Sequence, residues 1–437
     1  MDRKNIVLYF VDQQRADTCG CYGQPLPITP NLDRLAQEGV RFANAFSPQP
    51  VCGPYRAMLQ SGRYATDTGC FRNNIMLPQN IKTLANYIED AGYETAYVGK
   101  WHLASDGTPG MVETVDHTIT AIPRELRGGY TGYWRAADVL EFTSHGYDGY
   151  VFDENDRKVE FRGYRADCIN DMALEFLDVR DETRPFFLTV SQIEPHHQND
   201  HGHYEGPHGS KEKYRDFVLP EDLNALGGNA IEEYPDYLGQ CASLDANLGR
   251  LIAKLKKQGL YEDTVIIYVS DHGSHFRTRN RDAHLNGGDD YKRTGHDSAL
   301  KVPLVIEGGA YRGGKVIEDL VSMESLTKTI LAIAGIDIGD AMIGENLLDV
   351  VEKKDSTRET KVYAQISESR VGRCSRTPEY LYAIYAPGIN GSEAAASDQY
   401  ADDYLYDMTK DPYQLNNIVA DPAYHEDKAD LRTRILP

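Results

Sequence analysis

The segment Cys52-Gly53-Pro54-Tyr55-Arg56 sets a thiol, a proline and a guanidinium within about one helical turn of each other. Pro50 and Pro54 flank the cysteine and Ala57–Leu59 continue helically, which predicts Cys52 at a helix N-terminus. Free backbone N–H groups and the macrodipole favour an anion there, and Arg56 can hydrogen-bond into the same place. The structural alternative for this segment alone is a buried cysteine that caps a helix. Further polar groups stand where apolar runs stop: Asp12 and Gln13, Lys100 and His102, His196, and Asp271 with His272. Taken singly, an Asp-His-Gly can be a turn, a lysine a surface charge and a histidine a core residue. Taken together, Asp12, Gln13, Asp271 and His272 offer oxygen-rich ligation with one imidazole. That set suits a divalent cation, Ca²⁺ first and Mg²⁺ or Mn²⁺ after it, more than a structural zinc, although the imidazole shifts preference towards transition metals.

The elements that must position these groups are legible. Asn5–Val11 (NIVLYFV) reads as a buried strand. Thr29-Pro30 opens a helix with Thr29 as N-cap, closed by Gly39, and Lys82–Asp90 forms a second helix, closed by Gly92. Tyr93–Val98, Pro185–Val190, Thr264–Val269 and Val302–Ile306 read as further strands, with a helix across Tyr237–Gln258. Continuous apolar strands separated by helices predict an α/β fold, a large mostly parallel sheet covered by helices on both faces. In such sheets the ligand crevice lies beyond the carboxyl ends of the strands, where the polar residues fall. After about residue 345 short Tyr-rich segments (VYAQI, YLYAIY, YLYDM) predict a small antiparallel sheet. The expected organisation is a catalytic domain over 1–345 and a C-terminal α+β subdomain over 346–437, packed on the first.

Composition narrows the function. Lys+Arg 46 against Asp+Glu 67 leaves a net charge of −21 over 437 residues. So acidic a body is a poor nucleic-acid binder and is not drawn to anionic membrane. An anionic substrate therefore needs a local cationic pocket. No apolar run approaches the roughly 20 residues needed to span a bilayer. Ile6–Val11 is too short for a signal-peptide core, and seven cysteines without framework spacing predict reduced thiols and a cytoplasmic protein.

Cys52-x-Pro54-x-Arg56 resembles the signature of the formylglycine-dependent (type I) sulfatases of the alkaline phosphatase superfamily. VDQQRADTCGCYG looks like the family's first metal-ligand segment, TPNLDRLAQEGVRFANAFS its next helix, and GYETAYVGKWHL its G-K-W-H-L pattern. VSDHG looks like its second metal segment and LYDMTKDPYQLNNI its C-terminal ending. Lys292 to Pro303 is similar to its K-x-x-x-Y-E-G-x-x-R-V-P segment, with His296 in place of Tyr and Lys301 in place of Arg. The first metal pair departs from the commoner Asp-Asp, Gln13 replacing a carboxylate, and His272 stands where an amide is often found.

The resemblance implies that a maturase oxidises Cys52 to formylglycine, whose hydrated aldehyde is the nucleophile and binds the cation. It also implies that Lys100, Lys292 and Arg56 hold the sulfate, that His196 protonates the leaving alcohol, and that His102 takes the proton that frees the product. Candidate substrate contacts are Asn73, His197 and His296. The histidines at 196, 197, 201, 203 and 208 could form a metal-binding tract of their own; a loop over the pocket with His196 innermost is the preferred reading. Tyr 29 against Phe 12 and Trp 2 favours sugar-ring contacts, hence a small sulfated carbohydrate as substrate. Two other readings stand beside it: a phosphonate monoester or phosphodiester hydrolase of the same superfamily, and a non-catalytic binder of sulfated ligands if Cys52 stays unmodified.

Overall fold

The computed structural model describes residues 3–105, 116–280, 291–355, 358, 360–433 and 435. The first sheet has eleven strands: β1 (Asn5–Val11), β2 (Val40–Phe46), β3 (Glu94–Lys100), β4 (Tyr133–Ala137), β5 (Asp148–Asp153), β6 (Lys158–Arg162), β7 (Phe186–Ser191), β8 (Thr264–Ser270), β9 (Lys301–Val302), β10 (Leu304–Glu307) and β11 (Lys315–Ser322). Their order is β11-β2-β10-β8-β1-β7-β3-β4-β5-β6, with β9 alongside β2. From β8 through β1, β7 and β3 to β4 all neighbours are parallel.

β1 explains why the central strands read as unbroken apolar runs. Ile6, Leu8 and Phe10 enter one hydrophobic core, while Val7, Tyr9 and Val11 enter the other on the opposite face. Alternating side chains leave opposite faces of a strand, so a strand covered on both sides can spare no polar position. The second core is closed by Leu244, Leu248, Leu251 and Leu255 of the Ala230–Lys257 helix.

The sheet departs from expectation at Val302–Ile306. Pro303 interrupts that run, separating β9 from β10, and β10 lies antiparallel to both β2 and β8. A proline carries no N–H for a ladder, so the pairing restarts beyond it. The helix expected to begin at Tyr237 begins at Ala230 and contains Pro235. The carbonyl that Pro235 fails to engage belongs to Ile231, a residue 74% exposed. The helix expected from Lys82 starts at Leu84, where Thr83 and Asn86 form a reciprocal capping box.

The helix α1 (Pro30–Glu38) has the expected limits with Thr29 at its N-cap, but the Thr29 side chain makes no capping bond to the helix. The Thr29 hydroxyl accepts from the Gly20 N–H at 2.7 Å and donates to Asp33 at 3.2 Å. Asp245 takes the helix N–H groups instead, from Asn31 at 3.1 Å and Leu32 at 2.8 Å.

A second, antiparallel sheet of four strands follows: β12 (Val362–Ile366), β13 (Gly372–Arg376), β14 (Tyr380–Tyr385) and β15 (Ala401–Asp407). Leu381, Ala383, Tyr404 and Tyr406 pack with Phe46, Leu300 and Leu320, which fastens it to the β2 side of the first sheet. No helix among the described residues is long and apolar enough to cross a membrane, and all seven cysteines are free thiols.

Candidate active site

The carboxyl ends of β1, β3, β7 and β8 converge on the first turn of α2 (Cys52–Ser61), a helix buried along its whole length. Cys52 is its first residue, as expected, and Val51 its N-cap. The thiol lies 3.3 Å from Asp12 Oδ1, 3.2 Å from His272 Nε2 and 3.0 Å from Lys292 Nζ. Burial opposes ionisation of this thiol, but Lys100, Lys292, His272 and a hydrogen bond with His102 outweigh it and hold Cys52 well below the ordinary thiol range.

Asp12 is the centre of the charge arrangement. Its Oδ2 accepts from Lys100 Nζ at 2.8 Å and from Arg56 Nη2 at 3.2 Å. Burial and the neighbouring Cys52 push its carboxyl up; Lys100, His196 and Lys292 prevail and hold it below the usual range. Arg56 also donates to the Lys100 carbonyl at 2.8 Å and the Ser191 hydroxyl at 2.7 Å, and lies over the Phe10 ring. Its donors brace the strand ends beneath the thiol. Gly99 lets β3 approach β7 here: its φ is +105°, and a Cβ would sit 1.9 Å from the Ser191 carbonyl oxygen.

Asp271 and His272 follow β8. Asp271 Oδ1 accepts backbone N–H groups from Gln13 at 3.0 Å and His272 at 2.8 Å. Its Oδ2 is buried and has no hydrogen-bond partner among the described residues. Burial, reinforced by Asp12, pushes the Asp271 carboxyl up. His272 Nδ1 pairs with the Gly273 carbonyl at 2.9 Å, which leaves Nε2 as the nitrogen facing Asp12, Asp271 and Cys52. Asp12, Cys52, Asp271 and His272 thus offer four ligand atoms within 4.8 Å of one another, all buried. An orphaned carboxylate oxygen and an imidazole nitrogen oriented by a backbone carbonyl fit a divalent cation.

Gln13 adjoins this cluster. Its side-chain amide donates to the Tyr204 hydroxyl at 2.9 Å, its backbone has φ +69°, and its carbonyl accepts from Tyr237 at 2.6 Å. His102 (φ +61°) and Arg293 (φ +61°) share this left-handed conformation, which costs non-glycine residues of order 1–3 kcal/mol in the more strained cases.

Lys292 links the thiol to His196, whose Nε2 is 2.8 Å from Lys292 Nζ. His196 Nδ1 is 2.5 Å from the His197 carbonyl oxygen, so that nitrogen carries the proton and Nε2 accepts from Lys292. Burial first, then the Lys292 charge, lowers the His196 pKa and keeps its imidazole neutral.

The remaining candidates lie outside this cluster of charges. Asn73 Oδ1 accepts the Gly53 N–H at 2.9 Å, so its amide caps the second residue of α2. Gly53 makes room for it, since a Cβ there would lie 2.9 Å from that oxygen. His197 pairs with Asn199 at 3.1 Å and packs against Tyr291 and Tyr204. His296 stacks on Tyr404 at 4.3 Å and pairs with Thr294 at 2.6 Å and Tyr406 at 3.2 Å, which joins its loop to the second sheet.

Three supporting residues escaped the sequence reading. Ser191 ends β7 and meets Arg56. Asp138 follows β4 and accepts the Leu103 and Ala104 N–H groups at 2.8 and 2.9 Å, shaping the turn that carries His102. Glu141 lies 3.5 Å from His196 Nδ1. Ser191 and Asp138 stand at strand carboxyl ends, the same signal that singled out Asp12 and Asp271.

A parallel sheet whose carboxyl ends hold a helix-mouth thiol amid lysines and carboxylates is built as a hydrolase for anionic esters. Residues 4–336 match the family model described as sulfatase, and residues 289–437 match one described as N-sulphoglucosamine sulphohydrolase, C-terminal. The chain belongs to the sulfatase family, in the alkaline phosphatase superfamily. An ulvan-active sulfatase of Formosa agariphila is 29% identical over 99% of this chain and 80% of its own length. Among solved structures, the sulfatase yidJ of Bacteroides fragilis superposes with a TM-score of 0.80 at 24% identity, covering 100% of this chain and 95% of its own. A further structure, solved in complex with its substrate D-glucosamine-2-N,6-O-disulfate, gives 0.76 at 22% identity and covers 99% and 97%.

Proposed function

We propose that the protein hydrolyses a sulfate monoester on a small sulfated carbohydrate, using a formylglycine made from Cys52 by a maturase. The observation that carries this reading is the position of the Cys52 sulfur, within 3.3 Å of Asp12, His272 and Lys292 at the mouth of a buried helix. The hydrated aldehyde of formylglycine would supply two hydroxyls, one to attack sulfur and one to expel it. Asp12, Asp271 and His272, with the residue-52 side chain and Gln13 beside them, would hold a divalent cation, Ca²⁺ first, which would supply positive charge against the sulfuryl oxygens.

The chain's own groups divide the remaining work. Lys100 and Lys292 present fixed charge to the anionic ester, and Arg56 keeps Asp12 and the Lys100 carbonyl in register beneath it. Lys292, donating to a neutral His196, is the ammonium next to the reacting atoms, so the proton for the departing alkoxide passes through the Lys292–His196 pair. His102, which hydrogen-bonds to the residue-52 side chain, takes the proton that releases the product. The carbohydrate preference draws on the relative complexed with a glucosamine disulfate and on the tyrosine-rich composition.

The test measures sulfate release from a panel of sulfated mono- and oligosaccharides and aryl sulfates, with a phosphonate monoester and a phosphodiester alongside, on protein co-expressed with a maturase. Fastest turnover of a sulfated sugar supports the reading. Fastest turnover of the phosphonate or phosphodiester overturns it in favour of the superfamily's other chemistry. Binding without turnover by fully converted protein makes the chain a binder.

A further inference from the structure

The histidine-rich stretch is only partly used by the cluster around Cys52. His196 meets Lys292, whereas the chain beyond it folds into a tight turn. The His203 carbonyl accepts the Gln198 N–H at 3.0 Å, and the Gln198 carbonyl accepts from His201 at 3.2 Å and Gly202 at 2.9 Å. Tyr204 points inward from this turn and its hydroxyl accepts from the Gln13 amide. His201 and His203 lie on the exposed outer side, with Glu205 beside them.

A third imidazole arrives from another part of the chain. His145, in the loop before β5, stacks on His201 with ring centroids 4.2 Å apart and planes 3° from parallel. His145 Nε2 is 2.9 Å from Asp200 Oδ2, and His201 Nδ1 pairs with Glu205. The ligand atoms of His145, Asp200 and His201 lie within 4.8 Å of one another, and so do those of His201, His203 and Glu205.

We propose that these five residues form a second metal site, for a transition-metal dication such as Zn²⁺, separate from the cation site at Cys52. Three imidazoles and two carboxylates match the ligands Zn²⁺ takes, whereas Ca²⁺ and Mg²⁺ demand oxygen. The two triads share His201, so one ion can draw on either side of that ring. Glu205 also accepts the Gly146 N–H at 2.7 Å, so the ion would fasten the His145 loop to the turn behind His196 and Tyr204. The site is a clamp on the loop that lines the pocket.

The experiment titrates full-length protein with Zn²⁺ against a chromophoric chelator, in excess Ca²⁺, comparing it with His201→Ala, His203→Gln and Asp271→Ala. Co²⁺ spectra and circular dichroism are recorded in parallel. We expect the unaltered protein and Asp271→Ala to take up Zn²⁺ and to give visible Co²⁺ bands. His201→Ala should weaken uptake at least tenfold and lose the bands with its fold intact, and His203→Gln should weaken uptake. Uptake that survives both histidine substitutions but disappears in Asp271→Ala overturns the proposal, as does a protein that takes up no Zn²⁺.

Discussion

Lys100 Nζ lies 2.8 Å from Asp12 Oδ2, both side chains are buried, and the pair spans the ends of two strands separated by β7. Burial alone would strip the charge from either group; the Lys100 pKa is nevertheless raised because Asp12 and Cys52 outweigh desolvation. Lys100→Met removes the shorter of the two ion pairs on Asp12 Oδ2 and leaves Arg56 at 3.2 Å, with His196 and Lys292 acting from farther off. The expected cost is about 3 kcal/mol, at the low end for a broken buried pair. The check is the denaturant midpoint at constant m, with kcat/KM falling by about 100-fold or more if Lys100 also faces the ester.

Cys52→Ala removes the side chain on which the proposed chemistry depends while leaving the lysines in place. Turnover should vanish and affinity for a sulfated product persist, read by calorimetry. In active protein from a maturase-containing host, the peptide carrying residue 52 should be lighter by about 18 Da. Full activity in Cys52→Ala would remove residue 52 from the mechanism.

Asn73→Ala tests how α2 is held. Its amide oxygen is the partner of the Gly53 N–H, and Glu368 in turn accepts the Asn73 N–H. Removing an N-terminal partner costs about 1 kcal/mol. The helix mouth presents residue 52, so kcat should fall while KM moves little. A raised KM with unchanged kcat would make Asn73 a substrate contact instead.

Much of the fold was legible because the central strands are covered on both faces. β1 and α1 have their expected limits, and β3, β7 and β8 differ by a residue or two, since continuous apolar runs bounded by polar residues leave little choice. The outlying strands were not legible. β5 (DGYVFD) passes from exposed to buried along its length, β6 (KVEFR) buries Phe161 alone, and β13 (GRCSR) carries almost no apolar signal. At the site, Asp12, Lys100 and His196 come together because they end or follow the central strands β1, β3 and β7, whereas Cys52 opens α2 and Lys292 reaches them from the loop between β8 and β9. His296 resembles them in sequence context but faces Tyr404 and Tyr406, since its loop lies where the second sheet docks. An amide twenty residues beyond Gly53 gives no hint in the sequence of the Gly53 N–H that Asn73 meets. The His145–His201 stack joins positions 56 residues apart (201 − 145), which spacing along the chain cannot reveal.

Cation binding at Asp12, Asp271 and His272 should depend on pH with a definite sign. In the metal-free protein, burial and then Asp12 raise the Asp271 carboxyl from its ordinary value to about 7. A carboxyl raised in the folded state favours folding while it is protonated, and that contribution is lost as pH climbs from the ordinary carboxylate range through about 7. The His272 pKa is also raised, because Asp271 outweighs burial, so a cation must displace protons from both groups. Ca²⁺ or Mn²⁺ should therefore raise Tm more at pH 8 than at pH 5.5, and a chelator should lower it more at pH 8. Asp271→Asn cannot titrate at that position, so its cation-induced shift should be smaller and flatter with pH. Thermal scans of both proteins at fixed free cation, with and without chelator, give the comparison. An unaltered protein whose cation-induced shift is the same at both pH values would separate Asp271 from the cation.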